Sequence, residues 1–358
     1  MNRKGKRWLI FPILIFILFY FLGTLYFNKP KVEEPIETQT VDVESLEDFV
    51  LNFEDKVEEE IKIFAEFNEN EVKIGNSLYY FVSTGAKTLE AYQSCIVEST
   101  SLLHPGSRIF LIFITPDLKN ILQDKLLSAL LSFPNIYIRY IKLKRLLTSS
   151  GPDIKNWFIN SDFQKSPYSA LHLDQVLSYA ILKKYGGISL NFDTLLIRHI
   201  MGLDEFLIRS PEDGIESHPI GLHHNHQMFD ALLNKLKHYE GNSSNIGSQH
   251  LTQVAKEECQ VEFIKQLEYK QCRKLPKILP SSDFVPIEEQ HYRKLYDPAR
   301  TKLVLKTIKE HQSFGLKLWT LKPMTDNLGS RDFNTTFYAL ASQFCPMNVR
   351  LLGPTRHF

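Results

Sequence analysis

The chain has 358 residues, with 42 Lys and Arg against 41 Asp and Glu and a formal net charge of +1. Its basic residues are scattered rather than interleaved with aromatics in one patch, which argues against a nucleic-acid partner. Residues Trp8 to Phe27 carry no charge and are nearly all Leu, Ile, Phe or Tyr. At about 1.5 Å rise per residue this run is long enough to cross a hydrocarbon core of about 30 Å. Arg3, Lys4, Lys6 and Arg7 precede it, and Glu33 and Glu34 follow. The positive-inside rule therefore predicts a cytosolic tail over 1–7, an uncleaved signal anchor over 8–27 and a lumenal remainder.

Residues 28–75 are rich in Glu and Asp and read as an acidic stem between the membrane and a domain over 76–358. Leu46, Val50, Phe53, Val57, Ile61 and Phe64 recur at spacings of four and three. They predict an amphipathic stem helix, either laid against the domain or paired with a second chain in a homo- or heterodimer. From Leu78 onward strands alternate with helices. Strands are expected at Leu78–Val82, Ile109–Ile114 and Ile136–Ile141, and helices near Leu89–Leu103 and Leu118–Leu131. This α/β alternation predicts a parallel sheet with crossover helices. The carboxyl third is less regular, with a helix near Ser248–Glu258, a strand around Phe314–Trp319 and a final helix over Thr335–Phe344. Cys95, Cys259, Cys272 and Cys345 show no CxxC spacing, so disulfides are expected in an oxidising compartment, with Cys259 and Cys272 the favoured first pair. Asn242-Ser243-Ser244 and Asn334-Thr335-Thr336 are glycosylation triplets.

The most informative stretch runs from Lys184 to Asp193. Ala170, Leu173, Leu177, Ala180 and Ile181 recur at helical spacing, and Gly186 is placed to cap that helix. A short strand follows in which Ile188, Leu190 and Phe192 point one way and Ser189, Asn191 and Asp193 the other. Asn191 and Asp193 are thus two oxygen-bearing side chains on one face at a strand end, where ligands of open α/β sheets collect. They can share a hard cation, or serve only as turn formers.

This string resembles the Tyr-Gly-Gly-Ile-Tyr-Leu-Asp-x-Asp segment of the α-1,4-galactosyl- and α-1,4-N-acetylglucosaminyltransferase family. Phe81 to Thr84, Cys95 to Ser99 with His104-Pro105, Gly247-Ser248-Gln249-His250-Leu251-Thr252 and Phe344-Cys345-Pro346 are similar to further family segments in the same order. The resemblance implies a GT-A glycosyltransferase fold with a Rossmann-like lobe for the nucleotide-sugar. It further implies a Golgi transferase moving galactose or an N-acetylhexosamine from a UDP donor, UDP-Gal foremost, to a glycolipid or glycan acceptor in α-1,4 linkage with retention. Carried over by position, Asn191 and Asp193 meet the diphosphate and its metal. Ser83 and Thr84 lie near the uridine, and Gln249 is the catalytic candidate near the sugars.

Six residues depart from the family. Asn191 replaces the first Asp, Ser178 an Arg, Gln175 the Asp three residues before that Arg although Asp174 lies beside it, Ser217-His218 an Asn-Gly, and Lys317 the His of His-x-Trp before Trp319. Asn191 offers only an amide oxygen and a protonated Lys317 no lone pair at all. Relative to the family the two changes shift local charge by as much as a divalent cation carries. The expectation is therefore weak or no dependence on Mn²⁺, with Lys317 open between a phosphate contact and a solvent-facing strand position. The same departures allow a catalytically weak homologue that binds UDP-sugar or partners an active transferase. His223-His224-Asn225-His226 reads as a surface loop rather than a metal site.

Overall fold

The computed structural model describes residues 65–82, 89–114, 124–239, 241, 243, 246–268, 272–320 and 335–352. Every described residue belongs to one compact unit within Gln39–Phe358. The predicted membrane span, the stem helix, Ser83, Thr84, Asn242 and Asn334 lie outside the described residues. No described helix is long and apolar enough to cross a membrane.

The strands are β1 (Ala65–Glu66), β2 (Ser77–Val82), β3 (Arg108–Phe113), β4 (Ile136–Tyr140), β5 (Gly187–Leu190), β6 (Thr194–Leu196), β7 (Phe206–Ile208), β8 (Ile220–Leu222), β9 (Lys277–Leu279) and β10 (Gly315–Lys317). Eight of them form one sheet in the order β1-β4-β3-β2-β5-β8-β7-β9, and β6 and β10 form an antiparallel pair. Strands β1 to β5 pair in parallel, whereas β8 runs antiparallel to both β5 and β7. The sheet is therefore mixed, not wholly parallel as the alternation predicted. Ala65–Glu66 pairs with Arg139–Tyr140, so the sheet begins inside the stretch read as stem.

The inner strands are apolar on both faces because both are covered. Leu78, Tyr80, Val82, Ile109, Leu111 and Phe113 enter one core, and Tyr79, Phe81, Phe110 and Ile112 the other. The first core takes in helix α1 (Ala91–Leu103), and the second takes in α2 (Ser169–Tyr185). Helix α1 begins at a capping box between Glu90 and Gln93, two residues after the predicted start. Of the helix expected over Leu118–Leu131, Lys125–Leu130 is observed, started by the side chain of Asp124; residues 115–123 are not described.

Two disulfides form, the favoured Cys259–Cys272 pair among them. Cys259 pairs with Cys272 at 5.6 Å between Cα atoms, and Cys95 pairs with Cys345 at 5.1 Å across 250 residues of sequence. The second bond ties α1 to the carboxyl-terminal helices α4 (Thr336–Phe344) and α5 (Pro346–Leu352). Beside it the buried Glu98 carboxylate accepts from Met347 N, Asn348 N and Asn348 Nδ2 at 2.7–2.9 Å.

Candidate active site

The sheet order reverses its direction of growth at β2 and β5, the crevice where open α/β sheets collect ligands. Gly186 and Gly187 make this junction possible. Gly186 ends α2 at φ 65°, with its N–H on Leu182 O at 2.8 Å, and a Cβ there would lie 2.6 Å from His224 N. Gly187 has φ 106°, and its Cβ would lie 2.3 Å from Ser77 O. Any side chain would push β5 off β2.

Along β5 and just past its end, the side chains alternate as predicted. Ile188, Leu190 and Phe192 join the first core, while Ser189 turns to the opposite face. Asn191 Oδ1 accepts from Asp193 N at 3.3 Å, closing an Asx-type turn. Asp193 then holds two strand ends together. Its carbonyl accepts from Leu318 N at 2.7 Å, and its Oδ1 accepts from Thr320 N at 2.7 Å and Thr320 Oγ1 at 3.0 Å. Burial raises the Asp193 carboxyl above the usual carboxylate range, against the Thr320 backbone N–H and the Lys317 charge, which favour ionisation.

Lys317 ends β10 opposite Thr194 and does not face open solvent. Its Nζ lies 2.7 Å from Glu216 Oε2 and 4.3 Å above the centre of the Trp319 ring. The two side chains of the pair are 21% and 11% exposed. Trp319 has φ 55°, a left-handed conformation that costs a bulky residue about 1–2 kcal/mol. Its Nε1–H on Ile287 O at 2.9 Å fixes the turn that returns Thr320 to Asp193.

The Ser178 position is fully used by the fold. Its hydroxyl donates to Asp174 O at 2.8 Å and accepts from Ser189 Oγ at 2.8 Å, so His218 Nε2, at 3.1 Å, is left as a donor to it. Burial, with Lys317 nearby, lowers the His218 pKa to about 4, so the ring is neutral at pH 7. The Arg that the family places at Ser178 is thus replaced by an uncharged network.

The predicted residues fall into three groups. Asn191, Asp193 and Lys317 are brought together. Gln249 stands exposed on the first turn of α3 (Ile246–Cys259), next to Ser248, whose Oγ donates to Ile215 O at 2.5 Å. Ser83 and Thr84 follow the carboxyl end of β2, outside the described residues. Sequence reasoning missed Glu216 and Thr320. Glu216 lies 101 residues from Lys317 and no local pattern marks it; the one available signal was that a lysine inside a sheet needs a counter-charge.

The donor set does not fit a divalent cation. Asn191 Oδ1 is engaged in its turn, Asp193 Oδ1 takes two hydrogen bonds, and an ammonium stands where the family has its third ligand. Among the described residues no group of three or more His, Cys, Asp or Glu side chains could hold a metal. His223 and His226 are instead drawn to Asp204 and Glu205, at 2.9 and 3.9 Å. A cavity of about 290 Å³ lies at the other end of β5, lined by Glu66, Glu69, Lys142 and Lys184 among others. Its charges pair with one another, Lys184 with Glu69 at 2.9 Å and Lys142 with Glu66 at 3.6 Å, and it is remote from the Asn191 end of the strand. The Asp193 end of β5 is the candidate site by its side-chain chemistry and its place in the sheet order.

Residues 221–352 match the sequence profile of the alpha 1,4-glycosyltransferase conserved region. This segment carries the alpha 1,4-glycosyltransferase signature of the chain. The matched segment includes Gln249, Lys317 and Trp319, whereas Asn191, Asp193 and Glu216 precede it. Over a wider span the chain is 23% identical to lactosylceramide 4-alpha-galactosyltransferase of Rattus norvegicus, covering 76% of this chain and 75% of that protein. It is 25% identical to alpha-1,4-N-acetylglucosaminyltransferase of Homo sapiens, covering 73% and 76%. Among solved structures it is similar to PaToxG glycosyltransferase, with TM-score 0.40 and 14% identity over 52% of this chain and 70% of that one. It is also similar to galactosyltransferase LgtC in complex with donor and acceptor sugar analogs, with TM-score 0.25 and 11% identity over 57% and 72%.

Proposed function

We propose that this α-1,4-glycosyltransferase homologue is a GT-A-type hexosyltransferase. It moves galactose or an N-acetylhexosamine from a UDP-sugar, UDP-Gal first, to a glycolipid or glycan with retention of configuration. The observation that carries this reading is the Asn191–Asp193 string at the carboxyl end of β5, at the switch point of the sheet. Transfer passes through an oxocarbenium-like state, so the protein must hold the acceptor hydroxyl near the anomeric carbon and stabilise the departing nucleotide. In this scheme Asp193 and Asn191 border the diphosphate and Ser83 and Thr84 the uridine. Gln249 faces the sugars from the first turn of α3, the helix clamped to Ile215 beside Glu216. The charge asymmetry around Trp8–Phe27 supports a type II Golgi membrane protein with tail 1–7, anchor 8–27, stem 28–75 and lumenal domain 76–358.

A second reading is favoured by the Lys317–Glu216 pair and by Ser178. With Lys317 neutralised and the family Arg absent, the cleft has little positive charge to offer a leaving diphosphate, as expected of a UDP-sugar-binding or transferase-partner protein. Turnover of UDP-Gal, UDP-GalNAc and UDP-GlcNAc by the full-length chain, with and without lactosyl acceptors, separates the two. Transfer to acceptor supports the enzyme; nucleotide-sugar binding without turnover on all three donors defeats it. Asp193→Ala should abolish donor binding in a folded protein under either reading.

A further inference from the structure

We propose that the cleft beside Asp193 takes its ligand without a divalent ion, because Lys317 is its resident cation and Glu216 is the positioning residue that holds that ammonium in place. The proposal deepens the donor-site reading above and rests on it only for the ligand's identity.

Three chain segments meet here: 191–194 after β5, 216–218 before β8, and 315–320 through β10. Each carries one part of a charge cluster. Segment 216–218 supplies the Glu216 carboxylate, buried and 2.7 Å from Lys317 Nζ. Segment 315–320 supplies the ammonium and the Trp319 ring beneath it at 4.3 Å. Segment 191–194 supplies the Asp193 carboxyl, which lies within electrostatic reach of both Lys317 and Glu216. An ammonium held by a carboxylate on one side and an aromatic face on another keeps its position better than a free lysine does. Two carboxylates within electrostatic reach of each other are also what a divalent cation seeks, although the Asn191 oxygen is engaged in its turn. In this chain one of those charges, that of Glu216, is met by a covalently tethered cation that has no lone pair and repels a second one.

The proposal differs from a plain structural brace in what happens when the ammonium is removed. Taking Lys317 to an uncharged residue leaves Glu216 and Asp193 facing one cleft without a counter-charge, a vacancy that a divalent ion can fill. A brace without that role leaves nothing to fill.

The test uses the full-length chain and Mn²⁺ alone, followed by electron paramagnetic resonance titration, with thermal melting to verify each fold. Wild type should show no stoichiometric Mn²⁺ site. Lys317→Gln should raise Mn²⁺ affinity by about tenfold or more. Adding Glu216→Gln to that variant should remove the gain, and Lys317→Arg should behave as wild type. A wild-type Mn²⁺ site that Asp193→Asn abolishes would overturn the proposal, as would a folded Lys317→Gln that gains no metal. If Lys317→Gln does not fold, the wild-type and Lys317→Arg titrations still decide, since a site at Asp193 in either one defeats metal exclusion. Sugar transfer plays no part in the measurement. Failure to turn over UDP-sugars would therefore defeat the transferase reading and leave this result standing, whereas a Mn²⁺-dependent transferase would do the reverse.

Discussion

Breaking the Lys317–Glu216 pair from one side should cost far more stability than replacing both partners. The charges are 2.7 Å apart with side chains 21% and 11% exposed. At an effective dielectric near 20 their attraction is about 6 kcal/mol, most of it offset by the several kcal/mol needed to desolvate each ion. Lys317→Met leaves Glu216 buried within reach of the Asp193 carboxyl and should cost about 3–5 kcal/mol. Glu216→Leu leaves the ammonium its Trp319 face and Asp193, and should cost less, about 2–3 kcal/mol. The double variant should lie within about 1–2 kcal/mol of wild type, because an apolar pair of similar volume needs no counter-charge. Urea unfolding of the four proteins, followed by circular dichroism, gives the coupling energy directly. Single losses below about 1 kcal/mol that add in the double variant would show that the pair is solvated, and would remove the basis for treating Lys317 as a fixed charge.

Three further outcomes follow from the packing. Loss of Cys95–Cys345, which closes 250 residues, should destabilise by about 5 kcal/mol and loss of Cys259–Cys272, which closes 13, by about 3; equal melting shifts for the two Cys→Ala pairs would contradict the loop-closure account. His104 is fully buried, donating from Nδ1 to Thr100 O and accepting at Nε2 from Ile200 N, and burial lowers its pKa from 6.5 to about 4. Its contribution is intact above pH 6.5 and is lost as the pH falls toward about 4, a total near 3 kcal/mol, so a melting temperature flat between pH 7 and 4, or an unchanged slope in His104→Asn, would refute it. Gly187→Ala should cost more than about 3 kcal/mol from the clash with Ser77 O and the positive φ, while Gly106→Ala, whose Cβ meets nothing within 4 Å, should be close to neutral; similar urea midpoints for the two would refute the close-approach argument.

Much of the architecture was legible in the sequence because it follows from short-range patterns. The apolar runs at Leu78–Val82 and Ile109–Phe113 show strands covered on both faces. The period-two alternation from Ile188 separates core from cleft, and Gly186 stops the helix at the predicted place. The pairing of Cys259 with Cys272 was suggested by proximity alone. Tertiary structure decided what depends on which distant segment arrives alongside. Hydropathy does not show that β8 returns antiparallel to β5, since an apolar run reads the same in either direction. It does not show that Ala65–Glu66 becomes an edge strand, because two residues carry no periodicity. Composition gave Lys317 a charge but no partner, and the sign and size of the field in the cleft depend on the carboxylate that meets it. Glu216, 101 residues earlier in the chain, arrives at 2.7 Å through the folding of the sheet, because Coulomb interactions depend on distance in space and not on distance along the sequence.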